Sequence, residues 1–452
     1  MKMTLFSSGT LPTQRNKTTE VPVSLTLNGS LGRATITFKG SAQDVMHPTN
    51  FAGNFTLKGP SMASIGDLVG VTLPTTAEFS SKGYVDKQQK VWRINLKQLD
   101  LGASHLYGQF IYDKGRKIPL LSGQLNGNKF LITDLGPAFG SLDANKPKQK
   151  VLPRRPFDLK SLRTMHADVK INIKYVDLNT KVLQPLSPLR GHLTLNGGVL
   201  KIQNLDARTA KGQLKGDLKL DGRGKIALWN ADLRWSGVRL ENWVRQVREK
   251  GEAPYISGNL HGKAALNGQG ISSADMLATM KGSVQSELQN GALSHLVVEA
   301  AGLDLAQSLG VMFKGDDALP LHCAVADLVA DKGVLRPKVM VLDTEDSALW
   351  LTGAISLAQE TIDLKLIVMP KDFSPLSLRS PLHVSGTFAN PKTSLEKRKI
   401  GLKLAGSALL SLLNPLAAII PLLDNGDIKE AKRHAADCSA LMQRGLAKTK
   451  AK

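Results

Sequence analysis

Two pairs of neighbouring carboxylates are the first groups in this chain that could do chemistry. Asp316-Asp317 and Glu345-Asp346 carry the residue type that a hydrolase uses as general acid and base. Adjacent residues on a strand point to opposite faces, and adjacent residues in a turn face water, so neither pair can converge on one substrate atom. Solvated turns are the better interpretation, and we predict no catalytic residues.

The two cysteines, Cys323 and Cys438, are the other reactive groups. His322 cannot activate the Cys323 thiol, because neighbours on a strand point apart. Neither cysteine lies in a CxxC pair or, apart from the adjacent His322, at a metal-ligand spacing from a histidine. One long-range disulfide and two inert thiols are both compatible with the sequence. Since nucleophile-elbow, Walker, HExxH and dinucleotide-binding fingerprints are also absent from the sequence, we predict no metal, no cofactor and no enzyme activity.

The elements that would position any site follow from an alternation of apolar and polar residues with period two. It is clear at 21–27, 171–175, 192–195 and 362–366, and short polar turns such as 221–224 separate the runs. Each run predicts a strand with one apolar and one wet face. The large apolar face must close on another sheet, on itself or on an apolar ligand, and a closed sandwich core is what the pattern alone favours.

Composition limits the classes of partner. The chain has 59 Lys and Arg against 38 Asp and Glu, which gives a net charge of +21. This positive charge could bind nucleic acid, an anionic membrane surface or an acidic polymer. The basic residues alternate along the strands, without a basic helix, zinc-finger spacing or aromatic RNA-binding motif, so we predict no nucleic acid. A solvated outer face and a contact with anionic lipid headgroups remain as interpretations.

Turn and charge signals divide the chain into blocks. Strand-rich blocks are predicted at 1–140, 159–250 and 251–395, with a loop or linker at 141–158 and an apolar helical tail with a basic terminus at 396–452. Short helices are predicted at 64–69, with Ser64 as the cap, at 240–247 and at 273–277. The first residues lack an apolar stretch of useful length and do not predict a signal peptide.

The tail segment 401–423 has nearly the length and hydropathy of a membrane span. Pro415 and Pro421 interrupt it, so two short amphipathic helices bent at Pro415 are the better interpretation. They would cap the open end of the sheet or lie on a membrane, next to a basic cluster suited to anionic headgroups. The predicted membrane or cap contacts are Lys397, Arg398, Lys399, Leu409, Leu412, Leu413, Leu416, Ile419 and Ile420.

A series of short segments in the third block occurs in a distinctive order. The segments are 290–296 (NGALSHL), 299–305 (EAAGLDL), 320–323 (PLHC), 332–334 (KGV), 342–344 (LDT), 353–357 (GAISL), 369–372 (MPKD) and 381–391 (PLHVSGTFANP). This order resembles the C-terminal region of the AsmA family of Gram-negative envelope proteins. Segments 101–108 (LGASHLYG) and 131–137 (LITDLGP) resemble that family's central region, and 414–417 (NPLA) and 437–438 (DC) resemble its tail. The resemblance covers roughly residues 50–445.

The resemblance implies a fold: mostly β, an elongated and bent antiparallel sheet that forms an apolar groove, with a few short helices and a C-terminal helical tail. The block 251–395 would then be the C-terminal AsmA-like block. An oxidising periplasm would also permit a bond between Cys323 and Cys438, and we predict that the two approach each other. The residues predicted to line the groove are Val23, Leu25, Leu27, Ile171, Ile173, Leu193, Leu195, Leu214, Leu218, Leu351, Ile355, Ile362, Leu364 and Leu366.

The resemblance also implies a role, because the family is similar to bridge-like lipid transfer proteins. It predicts a periplasmic protein, normally anchored to the inner membrane, that carries phospholipid towards the outer membrane and supports its assembly. No anchor helix is visible before Val21. A scaffold that binds an outer-membrane or periplasmic protein partner without carrying lipid is the alternative. A carbohydrate-active β-solenoid enzyme is a third alternative, but it would need convergent carboxylates, which this sequence does not offer.

Overall fold

The computed structural model describes residues 3–8, 23–31, 33–43, 49–69, 73–139, 150–178, 183–246, 248, 252–294, 318–345, 347–371, 381–395, 433–434, 437–438 and 440–441. Strands make up 68% of the structure, as the alternation predicts. They are β1 (Met3–Ser8), β2 (Val23–Leu31), β3 (Ala34–Ala42), β4 (Asn50–Gly59), β5 (Phe79–Gln88), β6 (Val91–Leu101), β7 (Ser104–Asp113), β8 (Leu120–Leu131), β9 (His166–Ile173), β10 (Val176–Asp177), β11 (Leu189–Asn196), β12 (Val199–Thr209), β13 (Gly212–Asp221), β14 (Ala227–Arg239), β15 (Ile256–Gly270), β16 (Lys281–Ser294), β17 (Ala318–Asp331), β18 (Val334–Thr344), β19 (Ser347–Ser356), β20 (Thr361–Pro370), β21 (Leu382–Thr387) and β22 (Asn390–Leu395).

The described strands form one long, open sheet, which confirms the predicted mostly-β, elongated fold. Almost every strand pairs with its neighbours in sequence in antiparallel register, and among the described strands no pairing joins β1 to β22. The pairing of β8 differs from the predicted antiparallel pattern. β8 pairs in parallel with β9, from Leu120 opposite His166 to Gly127 opposite Ile173, and also with the short strand β10. The connection 132–165 is long enough to return the chain to the edge at which β8 began, which a parallel pair requires.

The registers keep apolar residues opposite apolar residues from strand to strand. Leu27 lies opposite Phe38, and Leu195 lies opposite Leu200, which in turn faces Leu220 on the next strand. Directly opposed residues share a face, so the pairing propagates one apolar face along the whole sheet. The other face, which we call the convex face, carries the charged and polar members of the alternation.

Two glycines on the apolar face show how the sheet bends. A Cβ on Gly123 would lie 2.1 Å from the carbonyl oxygen of Gln109, and one on Gly216 would lie 2.1 Å from that of Asp232. Their φ values are +152° and +157°, which favour glycine. Glycine kinks of this kind let a sheet curl, and both kinks lie on the apolar face.

Three short helices interrupt the sheet at its edges: α1 (Ala63–Val69), α2 (Leu240–Trp243) and α3 (Ser273–Ala278). The helices predicted at 64–69 and 273–277 are confirmed. Ser64 is not the cap of α1, because the helix begins one residue earlier. The helix predicted over 240–247 is wrong beyond Trp243, because Val244 is extended and forms a β-bridge with Leu183.

Candidate functional site

The apolar face of the sheet, which we call the trough, is the candidate site. The registers place on this one face every residue that the sequence predicts to line a groove, although their role as lipid contacts stays a prediction. These residues are Val23, Leu25 and Leu27 on β2, Ile171 and Ile173 on β9, Leu193 and Leu195 on β11, Leu214 and Leu218 on β13, Leu351 and Ile355 on β19, and Ile362, Leu364 and Leu366 on β20.

The middle of the trough remains partly open to solvent. Along β14, Trp229 and Leu233 are half-buried, while Asn230, Asp232 and Arg234 on the convex face are exposed. A closed sandwich would bury such residues under a second sheet, but all the described strands belong to one sheet. The trough is therefore an apolar surface that the described residues leave partly uncovered in its centre.

Because neighbouring strands run antiparallel, their connections lie alternately along two edges of the trough. We call one edge rim A; it contains the connections 197–198, 222–226, 271–280, 332–333 and 357–360. The other edge, rim B, contains the connections 102–103, 174–188, 210–211, 240–255 and 345–346.

At rim B, the first part of the trough is closed by α1. Ile65 of this helix is buried against Phe79, Leu101 and Leu106 on the apolar face. Towards the opposite edge of the same strands, Phe38 and Trp92 each make an edge-to-face contact with Phe51, with ring centroids 5.5 Å apart in both cases. This end of the trough is therefore filled by its own side chains.

Two segments that carry the family resemblance meet at this rim. The hydroxyl of Ser104, in segment 101–108, donates a 2.6 Å hydrogen bond to the carboxylate of Asp134, in segment 131–137. The backbone N–H of Ala103 donates to the same oxygen at 3.2 Å, and the N–H of Leu131 donates to the Ser104 hydroxyl at 2.8 Å. The two segments therefore fix a turn and hold the end of β8 beside β7.

Residues 150–165, which we call the strap, run along rim A from the β19–β20 turn to the start of β9. The Ala274 N–H donates to the Pro153 carbonyl at 2.9 Å, and the Phe157 N–H donates to the Ile271 carbonyl at 2.8 Å. Near the other end, Arg163 donates to the carbonyls of Gly222 and Gly224, both at 3.1 Å. The strap therefore ties together turns that belong to distant strands.

The strap also covers part of the trough. Met165 is buried against Ala167 and Leu195, with Leu162 and Leu200 packed around them. These contacts lie on the apolar face at rim A, so this rim is bridged where the strap crosses it. The predicted loop at 141–158 falls partly within the strap and is described from residue 150 onwards.

Glu360 anchors the start of the strap. Its side chain is fully buried, and its carboxylate accepts hydrogen bonds from the Val151 N–H at 2.5 Å, the Leu152 N–H at 3.2 Å and the Arg154 guanidinium at 3.2 Å. Burial opposes the charged form, but these hydrogen bonds and the nearby Lys150 outweigh it and lower the pKa of the Glu360 carboxyl. Glu360 is therefore a buried, ionised carboxylate that holds the start of the strap.

Glu360→Gln is expected to lower the free energy of unfolding by about 1.5–3 kcal/mol, because hydrogen bonds to a charged group are lost or weakened. The lowered pKa stabilises the fold above the ordinary pKa of a glutamate and ceases to do so as pH falls through the folded value, so the effect should shrink below about pH 4. Urea unfolding at several pH values measures both. Glu345→Gln, an exposed carboxylate, is the control and should change stability by less than about 0.5 kcal/mol. Equal effects of the two variants would contradict a stabilising role for the buried Glu360 carboxylate.

A second apolar patch lies on the convex face of β17, β18 and β19. Val325, Val341 and Trp350 face each other across these strands on the side opposite the trough. On the trough side, Leu349 is 1% exposed and Val368 is 8% exposed, so this part of the sheet is buried on both faces. The sequence signal is an unbroken apolar run at 348–351, which is typical of strands covered on both faces.

The described residues between 433 and 441, which we call the C-terminal cover, lie over the convex patch. Cys438 is bonded to Cys323, with an S–S distance of 1.94 Å and a Cα–Cα distance of 6.0 Å. The His434 ring stacks on Trp350 with centroids 4.3 Å apart, and Leu441 packs against the same cluster. Beside the disulfide, the Lys371 ammonium lies 2.8 Å from the Asp343 carboxylate in a nearly buried ion pair.

Several predicted residues lie outside the part of the chain that the structure describes. They are the carboxylates Asp316, Asp317 and Asp346, and the predicted membrane or cap contacts between 397 and 420. Within the described ranges, no helix has the length and hydropathy to cross a bilayer. No group of three or more potential metal ligands occurs in those ranges either.

Comparisons with known proteins agree with this architecture. The family model described as "AsmA family" matches residues 54–340. The chain is 27% identical over 416 residues to a protein of Escherichia coli (strain K12) named "AsmA family protein YhjG"; the match covers 87% of this chain and 60% of the relative, so the chain spans about three fifths of the relative's length. No solved structure matches this chain. Since the family model covers more than half of its residues, the chain belongs to the AsmA family, whose members are associated with the cell envelope.

Proposed function

We propose that this chain binds phospholipid in the trough and transfers it between the inner and outer membranes, which supports assembly of the outer membrane. The observation that carries the proposal is the single apolar face, which the registers maintain from β2 to β22 and which stays half-exposed at its centre. A soluble protein seldom exposes so continuous an apolar surface unless something covers it.

The physical gain from such a trough is large. Each CH₂ group of an acyl chain costs about 0.8 kcal/mol to expose to water. For a chain of about fifteen such groups the cost approaches roughly 12 kcal/mol, and lying along a trough of leucine and tryptophan side chains removes much of it. The headgroup can stay at a rim, in water. The sequence contains no nucleotide-binding fingerprint. We therefore propose that a lipid gradient or a partner protein drives transfer.

The proposed location is the periplasm, with attachment to the inner membrane. Family membership supports an envelope location, and the bond between Cys323 and Cys438 fits an oxidising compartment. The described part of the chain supplies the trough in this proposal.

Native mass spectrometry of the chain, purified from the periplasm without detergent, tests lipid binding. We expect mass increments equal to whole phospholipid molecules, identified by extraction, and faster movement of a labelled phospholipid between donor and acceptor vesicles. A folded chain that carries no lipid and does not accelerate exchange would contradict the proposal and favour an envelope scaffold that binds a protein partner.

A further inference from the structure

Rim B forms one continuous surface between the end of β9 and the start of β15. The Ser187 hydroxyl donates to the Lys174 carbonyl at 2.7 Å, and the Ser187 N–H donates to the Arg208 carbonyl at 2.6 Å. The Arg239 N–H donates to the Ala210 carbonyl at 3.0 Å. These hydrogen bonds join the connections after β9, β12 and β14, so their side chains form a common surface, which we call the basic rim.

The basic rim carries cations that have no counter-charge among the described residues. Lys174, Arg208, Lys211 and Arg245 are exposed, and none of them forms an ion pair with a described residue. The carboxylates nearby are already engaged. Glu241 accepts from the Gly258 N–H at 3.1 Å and lies 3.9 Å from Arg239. The local excess of positive charge is therefore available to an anionic partner.

Aromatic side chains accompany these cations. Tyr175 is 36% exposed and Tyr255 is 38% exposed. Trp243, which lies between them in the sequence, is half-buried. The Arg248 guanidinium lies 4.3 Å from the centroid of the Tyr255 ring. Tyrosine and tryptophan with adjacent arginine and lysine are the residue types that anchor proteins at the level of lipid headgroups.

The opposite rim is differently built. Along the same strands the strap bridges rim A, and its Arg154 and Arg163 donate to Glu360 and to backbone carbonyls. Exposed cations such as Lys160, Lys225 and Lys332 also lie along rim A. Rim B differs from rim A in its exposed tyrosines and because it is the side of the trough that the strap does not cross.

From these observations we propose that the basic rim docks on an anionic phospholipid bilayer. Docking would present the unstrapped side of the trough to the membrane, so that an acyl chain enters over rim B between the cations that hold its headgroup. This inference rests on the proposed lipid transfer for its purpose, but docking is measured without transfer. It is separate from the tail contact predicted at 397–399.

The test compares two triple variants of the full chain. Lys174→Gln, Arg208→Gln and Arg245→Gln together remove three charges from the basic rim. Lys170→Gln, Lys201→Gln and Lys263→Gln remove three exposed charges from the convex face of β9, β12 and β15. Lys211 is left unchanged because its φ of +68° makes it a sensitive position. Binding is measured by co-sedimentation with vesicles of phosphatidylcholine containing phosphatidylglycerol, at low and high salt.

Each cation near an anionic surface contributes about 1 kcal/mol, so the rim variant should bind such vesicles on the order of 100-fold more weakly. The convex-face variant should bind as the parent chain does, and the parent's binding should fall with salt and be absent on pure phosphatidylcholine. Equal losses in the two variants would show a diffuse charge effect and overturn the proposal, as would an unchanged rim variant. Lipid loading of the parent chain, measured by native mass spectrometry, tests the trough separately: a parent chain that binds anionic vesicles but carries no lipid would count against the proposed trough and not against docking.

Discussion

Leu218→Asp should empty the trough of lipid without unfolding the sheet. Leu218 is half-buried on β13, opposite Ile202 on one side and Ala231 on the other. A carboxylate there can be hydrated while the trough holds water, but it loses that hydration when an acyl chain lies over it, at a cost of several kcal/mol. A cost of about 3 kcal/mol corresponds to roughly 100-fold lower occupancy. Native mass spectrometry and vesicle-to-vesicle transfer measure the loss.

Asn230→Asp is the matched control for this prediction. Asn230 is exposed on β14, one residue from Ala231, and faces away from the trough. It introduces the same charge a few ångströms away, on the convex face. We expect lipid occupancy to stay at the parent level and the circular dichroism of both variants to remain that of a β protein. Equal lipid loading in the two aspartate variants would contradict a lipid-binding trough.

The choice of Leu218 depends on what the structure adds to the sequence. Leu195 also lies on the apolar face, but it is 7% exposed and packs under Met165 of the strap. An aspartate at that position would damage the core and confuse loss of lipid with loss of fold. Position along the trough therefore decides which apolar residue is a useful probe.

The face on which each residue lies could be predicted from the sequence because the period of a strand is two. Once Leu193 and Leu195 share a face, the pairing of apolar with apolar residues excludes every register that would turn Thr194 or Lys201 towards the apolar face. The same argument holds at Ile362, Leu364 and Leu366. The helix α3 was also predictable, because Ser272 and Asp275 provide a cap next to a short apolar run.

The strap could not be predicted by this reasoning. It has no periodic pattern, and its anchor at Glu360 lies 206 to 209 residues from the groups that it binds. Carboxylates in turns are normally solvated, and only the folded sheet brings Val151 and Leu152 to this one. Local helical spacing also predicts helix beyond Trp243, where Val244 instead forms a bridge with Leu183. Long-range pairing overrides local preference at both places.

The strap and the C-terminal cover constrain the same half of the trough from different sides. Glu360 holds the strap to the β19–β20 turn at rim A, and the bond from Cys438 to Cys323 holds the C-terminal cover on the convex face of β17. Glu360→Gln and the removal of the disulfide each test how much these contacts stabilise this half.

Cys438→Ser is expected to lower the free energy of unfolding by about 4–5 kcal/mol. The disulfide joins residues 115 apart in sequence, and in the chain-entropy model a loop of about one hundred residues contributes roughly 4.7 kcal/mol. Loss of the bond should also release His434 and Leu441 from the cluster around Trp350 and expose the convex patch. Urea unfolding with and without reductant measures the stability, and binding of an environment-sensitive dye measures the exposed patch.

Reduction separates the covalent bond from the packing around it. Reductant should destabilise the parent chain to the level of Cys438→Ser and leave that variant unchanged, because the serine chain has no bond to lose. Cys323→Ser should match Cys438→Ser, since both cysteines are almost completely buried in one cluster and each is useful only with its partner. If the parent chain has two free thiols under denaturing, non-reducing conditions, or if reductant changes neither stability nor dye binding, the bond does not hold the cover in place. In that case, the stacking of His434 on Trp350 and the contacts of Leu441 must account for the burial of the patch.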